Sequence, residues 1–316
     1  MRIIALEEHF LTPAMAARLA GAPAMSEAIH RKLADLDDER LADLDAGGIE
    51  VQVIGHTVPG TQAHAGDEAI ALARDANDRL AAAVQRHPDR FRGFATLPTS
   101  EPAAAAKELR RAATELGFVG AMINGTTGGR FLDDPMFAPL LAEAERLELP
   151  IYLHPSEPLP AVHEAYFKGF APGVEWWLSS AAWGWHAETA LHVLRLILAG
   201  VFDRHPRLQL VIGHMGELLP FWLARIDDFL GRAPTGLEHP VSHYVRENVH
   251  VTTSGVFTFP PLLCTLLVLG AERVLFSVDY PYSSNDDAVS FLRAAPISRR
   301  DRELVTHVNA ERLLKL

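Results

Sequence analysis

Four stretches of the sequence end an apolar run with an imidazole or a carboxylate. They are Glu7 and His9 after Ile3–Leu6, His154 at the end of Ile151–His154, His214 after Leu208–Gly213, and Asp279 after Val274–Val278. Such groups are costly to bury unless they are paired or bound to a metal ion. Imidazole and carboxylate together suit a divalent cation such as Zn2+ or Mn2+. Each residue alone would be an ordinary polar strand end, so their convergence is what indicates a metal site.

The spacing within the first stretch supports this interpretation. One residue separates Glu7 from His9, so the period of two along a strand puts both side chains on the same face. A site with two histidines and two carboxylates keeps room for a substrate. Strand 4 ends at Asn124 and supplies no lysine that could bridge a second ion. We therefore expect a single divalent ion, Zn2+ or Mn2+.

These residues can meet only if the strands that carry them end at the same place. Eight short runs of strand character recur along the chain, mostly continuous and apolar, as buried parallel strands require. They are Ile3–Leu6, Val51–Ile54, Gly93–Leu97, Val119–Asn124, Ile151–His154, Leu208–Gly213, Val249–Thr253 and Val274–Val278.

Helical patterns alternate with these strands. One stripe at helical spacing joins Phe137, Leu140, Leu141 and Ala144, and a second joins Leu191, Leu194, Leu198, Val201 and Phe202. Eight rounds of alternation without a Pro/Gly/Ser-rich linker predict an α/β protein, a (β/α)8 TIM barrel over residues 1–316 as a single domain. Long loops are expected after strand 1 (residues 10–48) and strand 5 (residues 155–188).

Bulk properties exclude several classes of function. The net charge of -11 and the absence of a basic run argue against nucleic-acid binding. The longest apolar region, Ala187–Phe202, is interrupted by charged residues and is too short for a membrane span. A single cysteine, Cys264, excludes an intrachain disulfide, and the apolar run that ends at Leu6 is shorter than we expect of a signal peptide. We expect a cytoplasmic protein without nucleic-acid or membrane partners.

Three motifs show a resemblance to a known family, and this resemblance extends over nearly the whole chain. They are Ala5-Leu6-Glu7-Glu8-His9-Phe10, Gly213-His214-Met215-Gly216-Glu217 and Ser277-Val278-Asp279-Tyr280-Pro281. The chain resembles the amidohydrolase-2 branch of the amidohydrolase superfamily, which contains aminocarboxymuconate-semialdehyde decarboxylase-like enzymes. Within that branch it is most similar to the γ-resorcylate and other hydroxybenzoate decarboxylases. Asn309–Leu313 resembles the family's C-terminal signature.

The resemblance implies roles for individual residues. The implied metal ligands are Glu7, His9, His154 and Asp279, and the implied catalytic residues are Asp279, His214 and Glu217. Asp279 would deliver a proton to the carboxylated ring carbon, and Glu217 would orient His214. Arg225 matches an arginine near the family's active site, where it would meet a substrate carboxylate or a neighbouring subunit. We expect Asn124 to be the second substrate-binding residue.

The resemblance also implies a reaction. The benzoate decarboxylases open with Glu-x-His where many amidohydrolases have His-x-His, and an extra carboxylate makes the ion a weaker activator of water. We therefore expect a non-oxidative, metal-dependent decarboxylase, a carbon–carbon lyase acting on an ortho-hydroxybenzoate-like acid. The alternative is a metal-dependent hydrolase of a lactone or related C–O or C–N bond. Family resemblance further implies a homodimer or homotetramer.

Several segments depart from the family's pattern. Pro23–Arg31, Thr57–Gly60 and Trp177–His186 differ from those of the related enzymes, and loops of this kind select substrates. The loop after strand 5 is also rich in aromatic residues that are candidates for pocket walls, core packing or a subunit interface. These are Phe167, Trp176, Trp177, Trp183 and Trp185.

Overall fold

The structure, a computed structural model, describes residues 1–18 and 26–316. Within these ranges, eight parallel strands form one sheet in which each strand is hydrogen-bonded to the next along the chain. The strands are β1 (Ile4–Phe10), β2 (Val51–His56), β3 (Phe91–Thr96), β4 (Gly120–Asn124), β5 (Ile151–His154), β6 (Leu210–Ile212), β7 (Val249–Thr252) and β8 (Val274–Leu275). All eight predicted strands are confirmed.

Helices connect the strands and cover the outside of the sheet. In the described residues they are α1 (Pro13–Ala16), α2 (Glu27–Ala34), α3 (Asp38–Gly47), α4 (Gly66–Arg86), α5 (Pro102–Thr114), α6 (Ala138–Leu147), α7 (Pro160–Tyr166), α8 (Pro172–Ser179), α9 (Gly184–Leu198), α10 (Val201–Arg204), α11 (Leu219–Leu230), α12 (Val241–Asn248), α13 (Phe259–Leu269), α14 (Asn285–Ala294), α15 (Arg299–Glu303) and α16 (Asn309–Leu314). The architecture is the predicted (β/α)8 TIM barrel.

The core has two parts because alternate residues of each strand face opposite sides of the sheet. Val53, Met122 and Val211 belong to the cluster inside the barrel. Their neighbours Ile54 and Ile123 belong to the larger cluster between the strands and the outer helices. Apolar side chains fill the barrel interior, so the polar groups at the carboxyl ends of the strands lie against an apolar cluster.

Strand β1 is longer than the predicted run Ile3–Leu6, and it contains an irregularity. Its register against β2 shifts between Ala5 and Glu8. A bulge inserts an extra residue and re-aims the side chains that follow it. Leu6 packs in the interior cluster, and Glu7 directly after it also contributes to the cluster of potential metal ligands. The bulge therefore lets Glu7 face the interior directly after Leu6, and Glu7 and His9 lie on the same face, as predicted.

The eighth strand is shorter than predicted: its ladder with β7 ends at Leu275 rather than at Val278. Beyond Leu275 the chain pairs elsewhere, because the Phe276 N–H donates to Val305 O at 2.9 Å and the Asp279 N–H donates to Glu7 O at 3.1 Å. An isolated parallel bridge between Glu8 and Tyr280 then joins this segment to β1 and nearly closes the barrel.

One predicted helical stripe is wrong in its first part. Helix α9 exposes Leu191 and Leu198 and buries Val193, Leu196 and Ile197 instead, whereas Val201 and Phe202 of α10 are buried as predicted. The stripe assumed one continuous helix as far as Phe202, but α9 ends at Leu198 and the backbone turns at Gly200 with a φ of 67°. The apolar residues of α10 therefore follow a different axis from those of α9.

The two long connections lie where they were expected. The first contains α1 to α3 and the second α7 and α8. Residues 23–25 of the departing segment Pro23–Arg31 lie outside the described residues. No helix in the described ranges is long and apolar enough to cross a membrane.

Candidate metal centre

Four side chains from β1, β5 and the segment after β8 meet at the carboxyl end of the barrel. Potential ligand atoms of Glu7, His9, His154 and Asp279 all lie within 4.8 Å of one another. His154 Nε2 lies 3.1 Å from Glu7 Oε1, and His9 Nε2 lies 3.1 Å from Asp279 Oδ1. The structure thus brings together the four residues that the sequence placed at three strand ends.

The carboxylate of Glu7 is held from one side only. Its Oε2 accepts hydrogen bonds from the hydroxyls of Tyr152, Thr252 and Ser254. These donors come from β5, from the end of β7 and from the loop after it, and they fix the orientation of the fully buried carboxylate. Consequently Oε1 is turned towards the histidines.

The free atoms of this cluster fit a metal ion. Among the described residues, Glu7 Oε1 and both ring nitrogens of His9 are buried without an acceptable hydrogen bond. Leaving such groups unsatisfied costs about 1–3 kcal/mol each. His154 Nδ1 donates to Pro155 O at 2.7 Å, which leaves Nε2 with a lone pair as a ligand needs. The arrangement has the donors, the burial and the tautomer that a divalent cation requires.

The charges of the cluster suit the same conclusion. Although burial opposes ionisation of Glu7, nearby His214, His154 and His9 hold its pKa below the ordinary value. Burial lowers the pKa of His9, which therefore presents a neutral imidazole. Burial also opposes ionisation of Asp279, but contacts with His214 and His9 lower its pKa. Ionised carboxylates and neutral imidazole are the forms that bind metals.

His214 lies beside this cluster rather than within it. Its Nε2 is 3.8 Å from Glu7 Oε1 and 3.9 Å from Asp279 Oδ2, and its Nδ1 contacts Glu217 Oε1 at 2.8 Å. Burial opposes protonation, but the charges of Glu217 and Glu7 raise the pKa of His214 well above its usual value. His214 is therefore a cation that faces both carboxylates of the cluster.

An unusual backbone turn places His214 and Glu217. Residues 214–218 all have positive φ, although only Gly216 among them lacks a side chain. Non-glycine residues rarely adopt this conformation, and runs of it occur where the surrounding structure enforces them. The Met215 N–H donates to Thr252 O and the His214 N–H to Ser254 Oγ, which anchors the turn to β7 and the residues after it.

The two predicted substrate-binding residues lie in different places. Asn124 ends β4 opposite His154, is 2% exposed, and has an Oδ1 without a hydrogen-bond partner among the described residues. Arg225 is exposed on α11, and its guanidinium lies 3.9 Å from the centre of the Phe229 ring. Asn124 thus borders the metal centre, whereas Arg225 lies on the exposed surface of α11.

The aromatic residues of the loop after β5 also differ in their positions. Trp185 lies beside the cluster, with its ring centre 6.3 Å from that of His154 and its Nε1–H donating to Glu157 Oε1. Trp177 and Trp183 are exposed, and Phe167 is buried in packing. Of these residues, Trp185 is the one that lies beside the ligand cluster.

Sequence reasoning missed several residues that shape the centre. Tyr152, Thr252 and Ser254 looked like ordinary strand residues, although a period-two count places Tyr152 on the same face as His154. His186 was passed over because it lies 31 residues before its partner Glu217. Nothing in the local pattern around His186 signals that pairing.

Comparison with known proteins agrees with this geometry. A family model described as "Amidohydrolase" matches residues 28–316. Among curated proteins, a gamma-resorcylate decarboxylase from Rhodococcus jostii is 43% identical, with 99% of this chain and 98% of that protein covered.

Solved structures give the same result. A 2,6-dihydroxybenzoate decarboxylase complexed with 2,6-dihydroxybenzoate has a TM-score of 0.92 at 38% identity, covering all of both chains. A dihydroxybenzoic acid decarboxylase from Polaromonas sp. JS666, with bound manganese and 2-nitroresorcinol, has a TM-score of 0.93 at 36% identity and covers 100% of this chain and 97% of that one.

Proposed function

Since this chain belongs to the amidohydrolase family, we propose that it is a metal-dependent, non-oxidative decarboxylase of an ortho-hydroxybenzoate-like aromatic acid. One observation carries this proposal: the buried cluster of Glu7, His9, His154 and Asp279 combines two imidazoles with two carboxylates at the catalytic end of the barrel. The similar proteins are named as decarboxylases of dihydroxybenzoates, which points to the same substrate class.

Glu7, His9, His154 and Asp279 would hold one divalent ion. When bound, such an ion supplies positive charge that orients an anionic substrate and stabilises phenolate character in its ring. We propose Mn2+ or Zn2+, because mixed nitrogen and oxygen donors suit both, and the Polaromonas structure contains manganese. The hydroxyls around Glu7 Oε2 keep this carboxylate in place as the ligand set forms.

The proton needed for decarboxylation passes through Asp279. The acid form of Asp279 gives a proton to the carboxylated ring carbon; the bond to the carboxylate then breaks, its electron pair restores the aromatic ring, and CO2 leaves. Because His214 Nε2 lies 3.9 Å from Asp279 Oδ2, the His214 imidazolium is placed to return a proton to Asp279. Glu217 holds His214 in this orientation through its Nδ1.

We propose that Asn124 contacts the substrate, because its unpartnered Oδ1 lies at the same end of the barrel.

We further propose a homodimer or homotetramer in which α11 forms part of the interface. Its exposed face contains Phe221, Trp222 and Phe229, a large apolar surface for a monomer. Arg225 lies on the same face and would reach a site in a neighbouring copy. Sedimentation of a monomer at micromolar concentration would contradict this interface.

The experiment that tests the reaction compares two classes of substrate. Metal-loaded protein is incubated with ortho-hydroxybenzoates and with lactones, while CO2 release and acid release are followed in parallel. We expect CO2 from at least one hydroxybenzoate. Acid release from lactones without any CO2 would overturn the decarboxylase proposal in favour of hydrolysis.

We also propose that the enzyme is cytoplasmic. Its single cysteine supports this, because a reducing compartment does not favour disulfides.

A further inference from the structure

A second group of ionisable side chains lies against the metal centre. His186, on the first turn of α9, contacts the carboxylate oxygen of Glu217 that His214 does not contact. Its Nδ1 lies 2.6 Å from Glu217 Oε2, and its Nε2 lies 2.8 Å from Ala181 O. Each oxygen of the buried Glu217 carboxylate is therefore engaged by a different imidazole.

The contacts of His186 fix the position of its ring. Nδ1 faces a carboxylate oxygen of Glu217 and Nε2 faces the carbonyl oxygen of Ala181, and both oxygens are hydrogen-bond acceptors. The Ala181 carbonyl therefore holds the plane of the ring while Nδ1 contacts Glu217.

His186 also lies against the imidazole of His214. It is the third residue of α9. The His186 and His214 ring centres lie 4.6 Å apart at an angle of 63°, so His186 also restricts rotation of the catalytic imidazole.

We propose that His186 is a positioning residue for the decarboxylation reaction: it holds Glu217 so that Nε2 of His214 stays directed at Glu7 and Asp279. This inference rests on the proposed function. His186, His214 and Glu217 could also be grouped as ligands of a second metal ion. The short contacts argue for protons instead, because both nitrogens of His186 already have acceptors and both Glu217 oxygens have donors.

Two conservative variants separate positioning from simple structural support. In His186→Asn the amide nitrogen replaces Nδ1 and keeps a donor near Glu217; in His186→Gln it replaces Nε2 and keeps the donor near Ala181. We expect kcat of His186→Gln to fall by about 10- to 100-fold, as for other residues that orient metal-site groups. We expect KM and metal content to stay unchanged and His186→Asn to retain more activity.

Each alternative result overturns the inference. If His186 only anchors the loop, the order of the two variants reverses, because His186→Gln keeps the contact with Ala181. If both variants match the original protein, His186 has no positioning role. If the original protein binds two Mn2+ ions and both variants bind one, His186 is a metal ligand.

A measurement without turnover keeps this test separate from the proposed function. If the original protein releases no CO2, the proposed function fails and the inference is decided by NMR of 15N-histidine-labelled protein. We expect the ring-nitrogen signals of His214 to shift in His186→Gln and to stay closer to those of the original protein in His186→Asn. Unchanged His214 signals in both variants would overturn the inference, whatever the substrate is.

Discussion

Two buried carboxylates, Glu7 in the metal centre and Glu143 on α6, show how differently this protein uses the same chemical group. Glu143 accepts four hydrogen bonds of 2.6–3.1 Å from Arg110 and Arg146, which engage both of its oxygens. Glu7 is also buried, yet its Oε1 has no hydrogen-bond partner among the described residues. The satisfied carboxylate joins two helices, and the unsatisfied one leaves an atom for a ligand.

The backbone differs in the same way. Glu143 lies in the middle of a regular helix, whereas the metal centre combines a bulge in β1 with positive φ at residues 214–218 and at Asp279. Strained backbone persists only where surrounding contacts enforce it, and it is common at functional sites. The comparison predicts that changes at the centre affect turnover and metal binding, while changes at Glu143 affect stability alone.

The largest expected effect comes from Asp279→Asn. The amide cannot deliver the proton, and positioned acids contribute about 10²- to 10⁴-fold to rate, so we expect kcat to fall by at least that factor. Metal content should stay close to that of the original protein. Steady-state kinetics with metal analysis provide the measurement, and Asp286→Asn on exposed α14 is the matched control. Substantial CO2 release by Asp279→Asn would remove Asp279 from the role of proton donor.

The second prediction concerns stability and the ion. A metal that binds only the folded protein stabilises it by about 2.7 kcal/mol when its concentration is 100 times Kd. We expect chelation followed by addition of Mn2+ to raise Tm of the original protein and of Glu143→Gln equally. Glu7→Gln should lose this rise, because the three hydroxyls hold its single amide oxygen and the amide nitrogen, which does not bind a metal ion, then faces the histidines. An equal rise in Glu7→Gln, measured by differential scanning calorimetry, would show that the ion binds elsewhere.

The third prediction concerns Glu217→Gln. Substitution of residues that orient metal-site groups typically lowers activity by about 10- to 100-fold, and we expect a loss of this size in kcat. KM and metal content should change little, since Glu217 contacts His214 and His186 rather than the ligand cluster. Glu143→Gln is the control, and we expect its activity to equal that of the original protein. Equal activities of the two variants would show that the orientation of His214 does not limit turnover.

The smallest effect is expected for Glu143→Gln in stability. Hydrogen bonds to charged groups contribute about 1.5–3 kcal/mol, less where water screens them, so we expect a loss of about 1–2 kcal/mol at neutral pH. Urea unfolding measures it. No loss of stability would mean that water replaces the arginine contacts without cost.

The same variant gives a pH test with a defined sign. Hydrogen bonds from Arg146 and Arg110 lower the pKa of Glu143 from 4.5 to about 2. A carboxylate with a lowered pKa stabilises the fold fully above its unfolded pKa and loses that contribution as the pH falls to the folded one. Between pH 4.5 and about 2 the original protein should therefore lose its stability advantage over Glu143→Gln. A constant difference across this range would contradict the assigned cause.

Much of the fold and of the ligand cluster could be predicted from the sequence. Apolar runs ending in His154 or Asp279 are local signals, and a parallel barrel brings all such ends together. What could not be predicted depends on tertiary context. The bulge between Ala5 and Glu8 needs a partner strand, and the end of β8 at Leu275 reflects pairing with Val305. The α9 stripe failed because a single turn at Gly200 changes the helix axis.

The sequence did not predict the hydroxyls around Glu7 or the contact between His186 and Glu217, for a related reason. Tyr, Thr and Ser in a strand are common without any function, and only the closed barrel shows that Tyr152 and Thr252 share one carboxylate oxygen. His186 and Glu217 lie on different helical connections, and nothing in sequence spacing relates them. Long-range polar contacts are the part of the site that depends on tertiary structure and cannot be predicted from sequence spacing.

The most direct test of the central claim is a titration of metal-free protein with Mn2+, in which bound metal and CO2 release from a hydroxybenzoate are measured in the same samples. We expect activity to rise in proportion to bound ion and to reach its maximum at one equivalent per chain. Full turnover by the metal-free protein, or binding without any gain in CO2 release, would contradict the assignment of Glu7, His9, His154 and Asp279 as the catalytic metal centre.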